Sequence, residues 1–299
     1  MTVEGGPIFI RGLSRSGGTL MVTMLDAHPD VAMSYELYPG LLKPLTQQKL
    51  DLDGFFEILA ETPKGKQLEH APENKSVRTF VIRCLRGGLQ RVDLIPLLEE
   101  HVASGAVFSE EADCLRFIER CALWKMKKEG KKRWGLKCSG AFTGYQKVWP
   151  DARFLNMVRD GRDVLASQLN TGSFNKTPAE VGLGWSNTLC KFRKLVESDS
   201  IKGYEVFYEK LVIEPAEEAR RICEFLGLPY FDSMLSFHSQ DLTIYKSSHL
   251  SMGRISQPVD SSKLERWKTD LSEQQINEFY SVARDTMVAF GFLGGSNAD

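Results

Sequence analysis

PIFIRGLSRSGGTLMVTMLDAHP, residues 7–29, decides the fold. Residues 7–13 (PIFIRGL) form a short apolar run of the kind that makes a buried strand. SRSGG follows as a turn-rich stretch. TLMVTMLDAH then places Leu20, Met21, Met24, Leu25 and Ala27 at helical spacing, and Pro29 supplies a stop. Strand, glycine loop and helix in that order make a phosphate-binding unit: backbone N–H groups of the loop point into one concavity, and the helix adds its free N–H groups and the positive end of its dipole. In GLSRSGGT, residues 12–19, Arg15 adds a fixed cation, while Ser16 and Thr19 add hydroxyl donors. The nucleotide-hydrolase loop has the form G-x-x-x-x-G-K-[ST]. Gly12 and Gly17 keep that spacing, but Gly18 stands where the lysine belongs. Taken alone, the motif suits a phosphate site and a ligand-free turn equally.

Working outward, further strands are expected at Arg133–Lys137 (RWGLK), 152–158 (ARFLNMV) and 204–208 (YEVFY). Each is followed by a helical pattern. The helix over about 215–226 has Pro215 in its first turn and Gly227 just past its end. The last helix opens with Ser272 and Gln275 in capping-box spacing and lines up Ile276, Phe279, Tyr280, Ala283 and Met287. Strands alternating with helices imply a parallel sheet covered on both sides. The expectation is a single α/β domain over residues 1–299: a P-loop-like central parallel sheet flanked by helices. A helical insertion follows the first βα unit at about 50–130, where Phe55, Phe56 and Leu59 share one face and Leu94, Leu97 and Leu98 another. Residues 30–50 read as irregular, 61–75 as an exposed loop and 246–260 as a polar loop.

Composition narrows the function. With 38 Lys and Arg against 39 Asp and Glu, the formal net charge is -1, so no global field attracts nucleic acid or a membrane surface. Any anion site has to be built locally. The six cysteines and five histidines show no zinc-ligand spacing, and no C-x-x-C pair occurs. Residues 1–6 lack the basic and apolar regions of a signal peptide, and no apolar stretch reaches the ~18 residues of a membrane span. Reduced thiols in the cytoplasm are the expectation.

A second anion site is expected in FLNMVRDGRDVLASQL, residues 154–169. Arg159 falls at a strand end, the ligand edge of a parallel sheet. Ser167 lies eight residues on, about two helical turns away, so both side chains can serve one anion. Asp160, Arg162 and Asp163 read instead as a solvated helix start with local ion pairs. Two anion sites at the ends of two strands suggest a nucleotide with two separate phosphate groups.

The same residues carry a family resemblance. RSGGTLM at 15–21 resembles the 5′-phosphosulfate loop of sulfotransferases that use 3′-phosphoadenosine-5′-phosphosulfate (PAPS), and VRDGRDVLAS at 158–167 resembles their 3′-phosphate segment. YEKLV at 208–212, EFLGLP at 224–229 and QPVDSSKLERWKTDLS at 257–272 are similar to later blocks of that family and occur in its order. The wording of LMVTMLDAHPDV at 20–31 resembles the tyrosylprotein enzymes and also bacterial and carbohydrate-directed members. Two departures stand out: the R-K-G-x-x-G-x-W motif of the cytosolic small-molecule branch is replaced by SMGRISQPVD, and Gln257 stands where the tyrosylprotein enzymes show lysine.

The resemblance implies transfer of a sulfuryl group from PAPS to an acceptor hydroxyl, with adenosine 3′,5′-bisphosphate (PAP) as product and no metal. It implies that Arg15 and the backbone of Ser16, Gly17, Gly18 and Thr19 hold the 5′-phosphosulfate, that Arg159 and Ser167 hold the 3′-phosphate, and that Tyr208 contacts the nucleotide. Glu36 falls at the general base of the tyrosylprotein enzymes, and Lys137 at a lysine near the transferring group. Ser251 or Ser256 is implied beside that group, and Arg254 at a phosphate, in a loop that also holds His249.

Bland alternatives stand beside several of these: a rim carboxylate for Glu36, a solvated strand-end lysine for Lys137, core packing for Trp134, Trp185 and Trp267. His28 reads as a helix C-terminal residue facing the dipole. Arg78, Arg83, Arg86 and Arg91 suit either a solvated helix face or an anionic acceptor. The acceptor, carbohydrate, tyrosyl or small molecule, is left open; its pocket is expected from about 30–130 and 171–185. A homodimer is compatible with the chain. Two other functions are carried: an ATP-using small-molecule kinase, against which the missing loop lysine counts, and a non-catalytic nucleotide-binding protein, which has no need of Glu36.

Overall fold

The computed structural model describes residues 5–61, 75–139, 142–172, 175–244 and 256–294. Five strands form one parallel sheet in the order β2-β3-β1-β4-β5. They are β1 (Ile8–Gly12), β2 (Val31–Ser34), β3 (Arg133–Lys137), β4 (Arg153–Val158) and β5 (Lys202–Phe207). The first three residues of β1 and the last five of β4 are buried, as in a strand covered on both faces. β1 runs through the loop 13–17 into helix α1 (Gly18–Asp26).

The chain parts into two compact units, each assembled from separate stretches. The first comprises Met1–Phe9, Thr19–Arg153 and Phe231–Pro258. In it β2 pairs in parallel with β3, Val31 opposite Arg133 through Ser34 opposite Leu136. After a 3-10 turn at Pro39–Leu42 come α2 (Lys43–Thr46), α3 (Leu52–Glu61), α4 (Lys75–Arg86), α5 (Arg91–Ala103) and α6 (Glu111–Lys128). Their core is aromatic: Phe55, Phe80, Phe108 and Phe117 meet at centroid distances of 5.5–6.4 Å, mostly edge to face. Helix α7 (Phe142–Val148) follows β3. A buried ion pair closes α1 onto α6. Lys125 Nζ lies 2.6 Å from Asp26 Oδ1, with both side chains at 2% exposure or less, and the same oxygen accepts the Met33 N–H.

The second unit comprises Ile10–Gly18, Phe154–Tyr230 and Val259–Asp299. Its described helices are α8 (Gly161–Thr171), α9 (Pro178–Glu197), α10 (Tyr208–Ile213), α11 (Pro215–Leu226), α12 (Trp267–Asp270) and α13 (Glu273–Ala289). Helix α13 packs along α9, burying Val181, Trp185, Leu189, Phe279, Ala283 and Met287 with Val158, Val164 and Leu165.

One expectation changes. Residues 30–50 are not irregular throughout: VAMS at 31–34 is a strand, which stands between the first βα unit and the helical run. All four of its residues are buried, so no alternation marks it. Within 171–185, α9 starts at Pro178, capped by Thr177 and Glu180 in a capping box. Residues 62–74 and 245–255 lie outside the described residues. Among the described residues no helix is long and apolar enough to cross a membrane.

Candidate active site

Each strand hands the chain to one expected site residue: Arg15 after β1, Glu36 after β2, Lys137 at the end of β3, Arg159 after β4 and Tyr208 after β5. In parallel α/β sheets ligands bind beyond the carboxyl ends of the strands. The residues fall into two clusters, one in each compact unit.

The cluster of the second unit is built on the loop 13–17. Gly17 has φ +96°, and a β-carbon there would come within 2.5 Å of Tyr208 Cδ2. At Gly12 a β-carbon would meet that of Met157 at 2.7 Å. Both positions need glycine for close approach. Arg15 itself has φ 79°, a left-handed conformation that costs a non-glycine residue energy and gathers at functional sites. Its Nε donates to Ser167 Oγ (3.0 Å), and Gln168 Nε2 donates to Ser14 O (3.0 Å), tying the loop to α8.

Arg159 is 3% exposed. Its Nη1 donates to Arg15 O (3.1 Å), its Nη2 to Lys263 O (2.7 Å), and its guanidinium lies 4.3 Å from the Tyr208 ring centroid. Its Nε is a buried donor without an acceptor among the described residues. An orphaned cationic N–H is costly, and a phosphate oxygen is the acceptor that suits it. The guanidinium, the Ser167 hydroxyl and the glycine cradle make a donor set fit for phosphate.

The structure brings Arg15, Gly17, Arg159, Ser167 and Tyr208 together. Ser16 sits in the same loop, buried, its N–H on Leu13 O (3.1 Å). Gly18 opens α1, with Thr19 next. Ser251 and Arg254 lie outside the described residues, as does His249; Ser256 is exposed.

Residues 160–163 are buried, not solvated. Asp160 accepts the Arg162 N–H at the start of α8 and pairs with its guanidinium at 2.6 Å. Asp163, 1% exposed, accepts the backbone N–H of Glu265 and of Trp267, both at 3.0 Å, and so clasps the segment before α12. Burial raises the Asp163 carboxyl pKa; those two hydrogen bonds and Arg159 pull it back down. Arg162 also covers the Trp267 ring at 3.9 Å. The local ion pairs are those expected, but their role is to fix the Arg159 turn.

The cluster of the first unit centres on Glu36. Its Oε1 accepts a hydrogen bond from Lys137 Nζ, and Arg83 Nη2 lies 3.5 Å from its Oε2. Arg83 Nη1 also donates to the Glu36 carbonyl at 2.7 Å, and its guanidinium sits 5.9 and 5.3 Å from the ring centroids of Tyr35 and Tyr38. Burial, with Glu36 second, raises the Tyr35 phenol. Arg83 is therefore not on a solvated helix face: it holds the backbone and the carboxylate of Glu36 together. Its partner lies 47 residues away, and no local pattern signals that distance. His28 is fully buried just past the end of α1, and its Nδ1 accepts the Asp30 N–H. Trp134 and Trp185 are core, as expected.

A model of the sulfotransferase family matches residues 7–85 and 115–232, well over half of the chain. The chain belongs to the sulfotransferase family. Among relatives of this family member, protein-tyrosine sulfotransferase A of Caenorhabditis elegans is 25% identical over 288 residues, which is 92% of this chain but 64% of that protein. Protein-tyrosine sulfotransferase 1 of Danio rerio is 27% identical over 278 residues, 87% of this chain and 65% of the relative. This sulfotransferase-family chain thus spans slightly less than two thirds of each. Two solved structures share its fold: the sulfotransferase domain of the Synechococcus PCC 7002 olefin synthase (TM-score 0.55, 18% identity, 96% of both chains) and that of the curacin biosynthetic pathway (TM-score 0.54, 18% identity, 94% of this chain and 98% of the other).

Proposed function

We propose that the chain transfers a sulfuryl group from PAPS to an acceptor hydroxyl by in-line displacement. The observation that carries the reading is the buried Nε of Arg159, without an acceptor among the described residues, beside the Gly17 cradle, in a chain of the sulfotransferase family. Arg159 and Ser167 hold the 3′-phosphate; Arg15 and the backbone of Ser16 to Thr19 hold the 5′-phosphosulfate. The bond from sulfur to the 5′-phosphate oxygen breaks as the acceptor oxygen bonds to sulfur, and the acceptor proton passes to the Glu36 carboxylate. PAP leaves. Such transfers run through loose transition states, where positioned cations stabilise charge on the equatorial and leaving oxygens. Arg15 and Lys137 supply them. Support for Glu36 is its ordered setting between Lys137 and Arg83. Because the relatives are protein-tyrosine sulfotransferases, a tyrosyl hydroxyl is the first acceptor class to try.

Calorimetric titration with PAP, and separately with ATP and magnesium, tests the donor. Tight binding of PAP alone is expected, and Arg159→Ala weakens PAP far more than adenosine 5′-phosphosulfate. Binding of ATP without response to PAP overturns the reading. With an acceptor in hand, Glu36→Gln lowers turnover by about 10²–10⁴-fold and leaves PAP affinity unchanged; unchanged turnover removes Glu36 as the base.

A further inference from the structure

Glu209, the second residue of α10, is used by nothing described so far. It follows Tyr208, whose ring lies over the Arg159 guanidinium. Its Oε1 accepts the N–H of Asp160 (2.9 Å), the residue after Arg159. Its Oε2 is shut off from solvent and has no hydrogen-bond partner among the described residues. A carboxylate in that setting carries charge on an oxygen that nothing solvates, so the neutral acid is favoured. Burial accordingly raises its pKa to about 7; the Asp160 carboxylate adds to the rise, while the Asp160 and Glu209 backbone N–H groups and Arg159 oppose it. Asp160 is itself held by Arg162. On the other side, Lys210 lies 5.2 Å from the Phe207 ring centroid, and Glu218 of α11 takes the Tyr204 hydroxyl (3.2 Å) and pairs with Arg221.

We propose that Glu209 is a proton-linked positioning residue of the nucleotide site: its buried Oε2 takes up a solvent proton when a phosphate monoester settles on Arg159. The inference rests on the nucleotide reading above. Arg159 is the nearby positive charge that favours ionised Glu209, and a phosphate dianion cancels it. Burial and Asp160, which favour the neutral form, are then opposed only by the Asp160 and Glu209 backbone N–H groups. Protonation at Oε2 leaves Oε1 free to accept the Asp160 N–H, so the Arg159 turn keeps its shape while the phosphate avoids a negative neighbour. The protonated form binds the phosphate more tightly, so affinity is lost as pH rises through about 7 and above.

PAP binding to the full chain is measured by calorimetry at pH 7.5 in buffers of different ionisation enthalpy, for wild type and Glu209→Gln, which keeps a carbonyl acceptor for Asp160. A rise of about one pKa unit on binding gives uptake of roughly half a proton per PAP in the wild type and an affinity about tenfold lower at pH 9 than at pH 6. Glu209→Gln shows neither. A phosphate entering a cationic site gives up its own last proton, which has the opposite sign. Adenosine 5′-phosphate, lacking the 3′ group, shows no uptake in the wild type, and this comparison decides the matter if the variant fails to fold. Equal proton counts for wild type and variant, or for the two nucleotides, overturn the inference while the site reading stands. PAP that binds neither protein at any pH overturns the site reading, and this inference with it.

Discussion

Gly17→Ala strikes the loop where the backbone has least freedom. The residue sits at φ +96°, and the added β-carbon would lie 2.5 Å from Tyr208 Cδ2 and 3.0 Å from Cε2. Two penalties combine. Left-handed backbone costs alanine ~1–2 kcal/mol, and forcing a carbon against a packed ring costs ~1–3 kcal/mol. The total of about 2–5 kcal/mol lowers the melting temperature by roughly 4–10 °C in a chain of this size. Any relief comes from Tyr208 moving, which draws its ring away from Arg159, 4.3 Å from the centroid. PAP affinity therefore falls by about 10–100-fold, the worth of a desolvated cation–π contact and an ordered loop. Thermal melting and calorimetry on the variant read both effects. Adding Tyr208→Ala removes the clash but not the backbone strain, so the pair should couple by ~1–3 kcal/mol. A variant that melts and binds PAP like the wild type, or a pair that adds without coupling, refutes the packing argument.

Arg83→Gln should cut turnover by about tenfold while leaving PAP affinity unchanged, because it frees the carboxylate and carbonyl of Glu36 without touching the nucleotide cluster; Arg83→Lys should not restore the rate, since an ammonium lacks the fork that spans both groups. A PAP affinity lowered in parallel with the rate would mean a general loss of structure. Lys125→Met leaves buried Asp26 with only the more distant Lys131 ammonium (3.8 Å) and the Met33 N–H to offset its charge, costs up to ~3–5 kcal/mol and lowers the melting temperature by several degrees, of which Asp26→Asn in the same chain recovers part; a melting point within 1 °C of wild type would contradict this. Asp163→Ala releases the Glu265 and Trp267 amides, so limited proteolysis should cut the 257–272 segment sooner and PAP should bind more weakly; an unchanged cleavage pattern would remove Asp163 as the clasp.

What the sequence reveals here depends on how local the causes are. β1, β3, α11 and α13 are legible because an apolar run, a proline at a first turn, a glycine at a C-terminus or a capping box fixes each within its own residues. The α9 cap was equally local: Thr177, Pro178 and Glu180 form the signature of a helix start. β2 lacked any signature, being four residues long and buried throughout. The nucleotide cluster could be read because glycine loops and strand-end arginines have recognisable neighbours. Arg83 beside Glu36, Asp163 beneath the Glu265 turn and Glu209 beneath Asp160 could not. Each meets a partner 47 or more residues away, and in sequence each resembles an ordinary surface charge.

The interleaving of the two compact units shapes how the chain must come into being. The polypeptide passes from one unit to the other after Phe9, Gly18, Arg153, Tyr230 and Pro258, and β1 itself is divided between them. A nascent chain leaving the ribosome therefore cannot finish either unit early. The first waits for Pro258, and the second for the helix that ends at Ala289. Until then Trp185 and Leu189 of α9 lack the α13 face that covers them. Synthesis that stalls in the last fifth of the message leaves a long intermediate with exposed apolar helix, the kind of species that chaperones hold and that aggregates without them. Splitting the gene into two contiguous halves would not yield two soluble pieces.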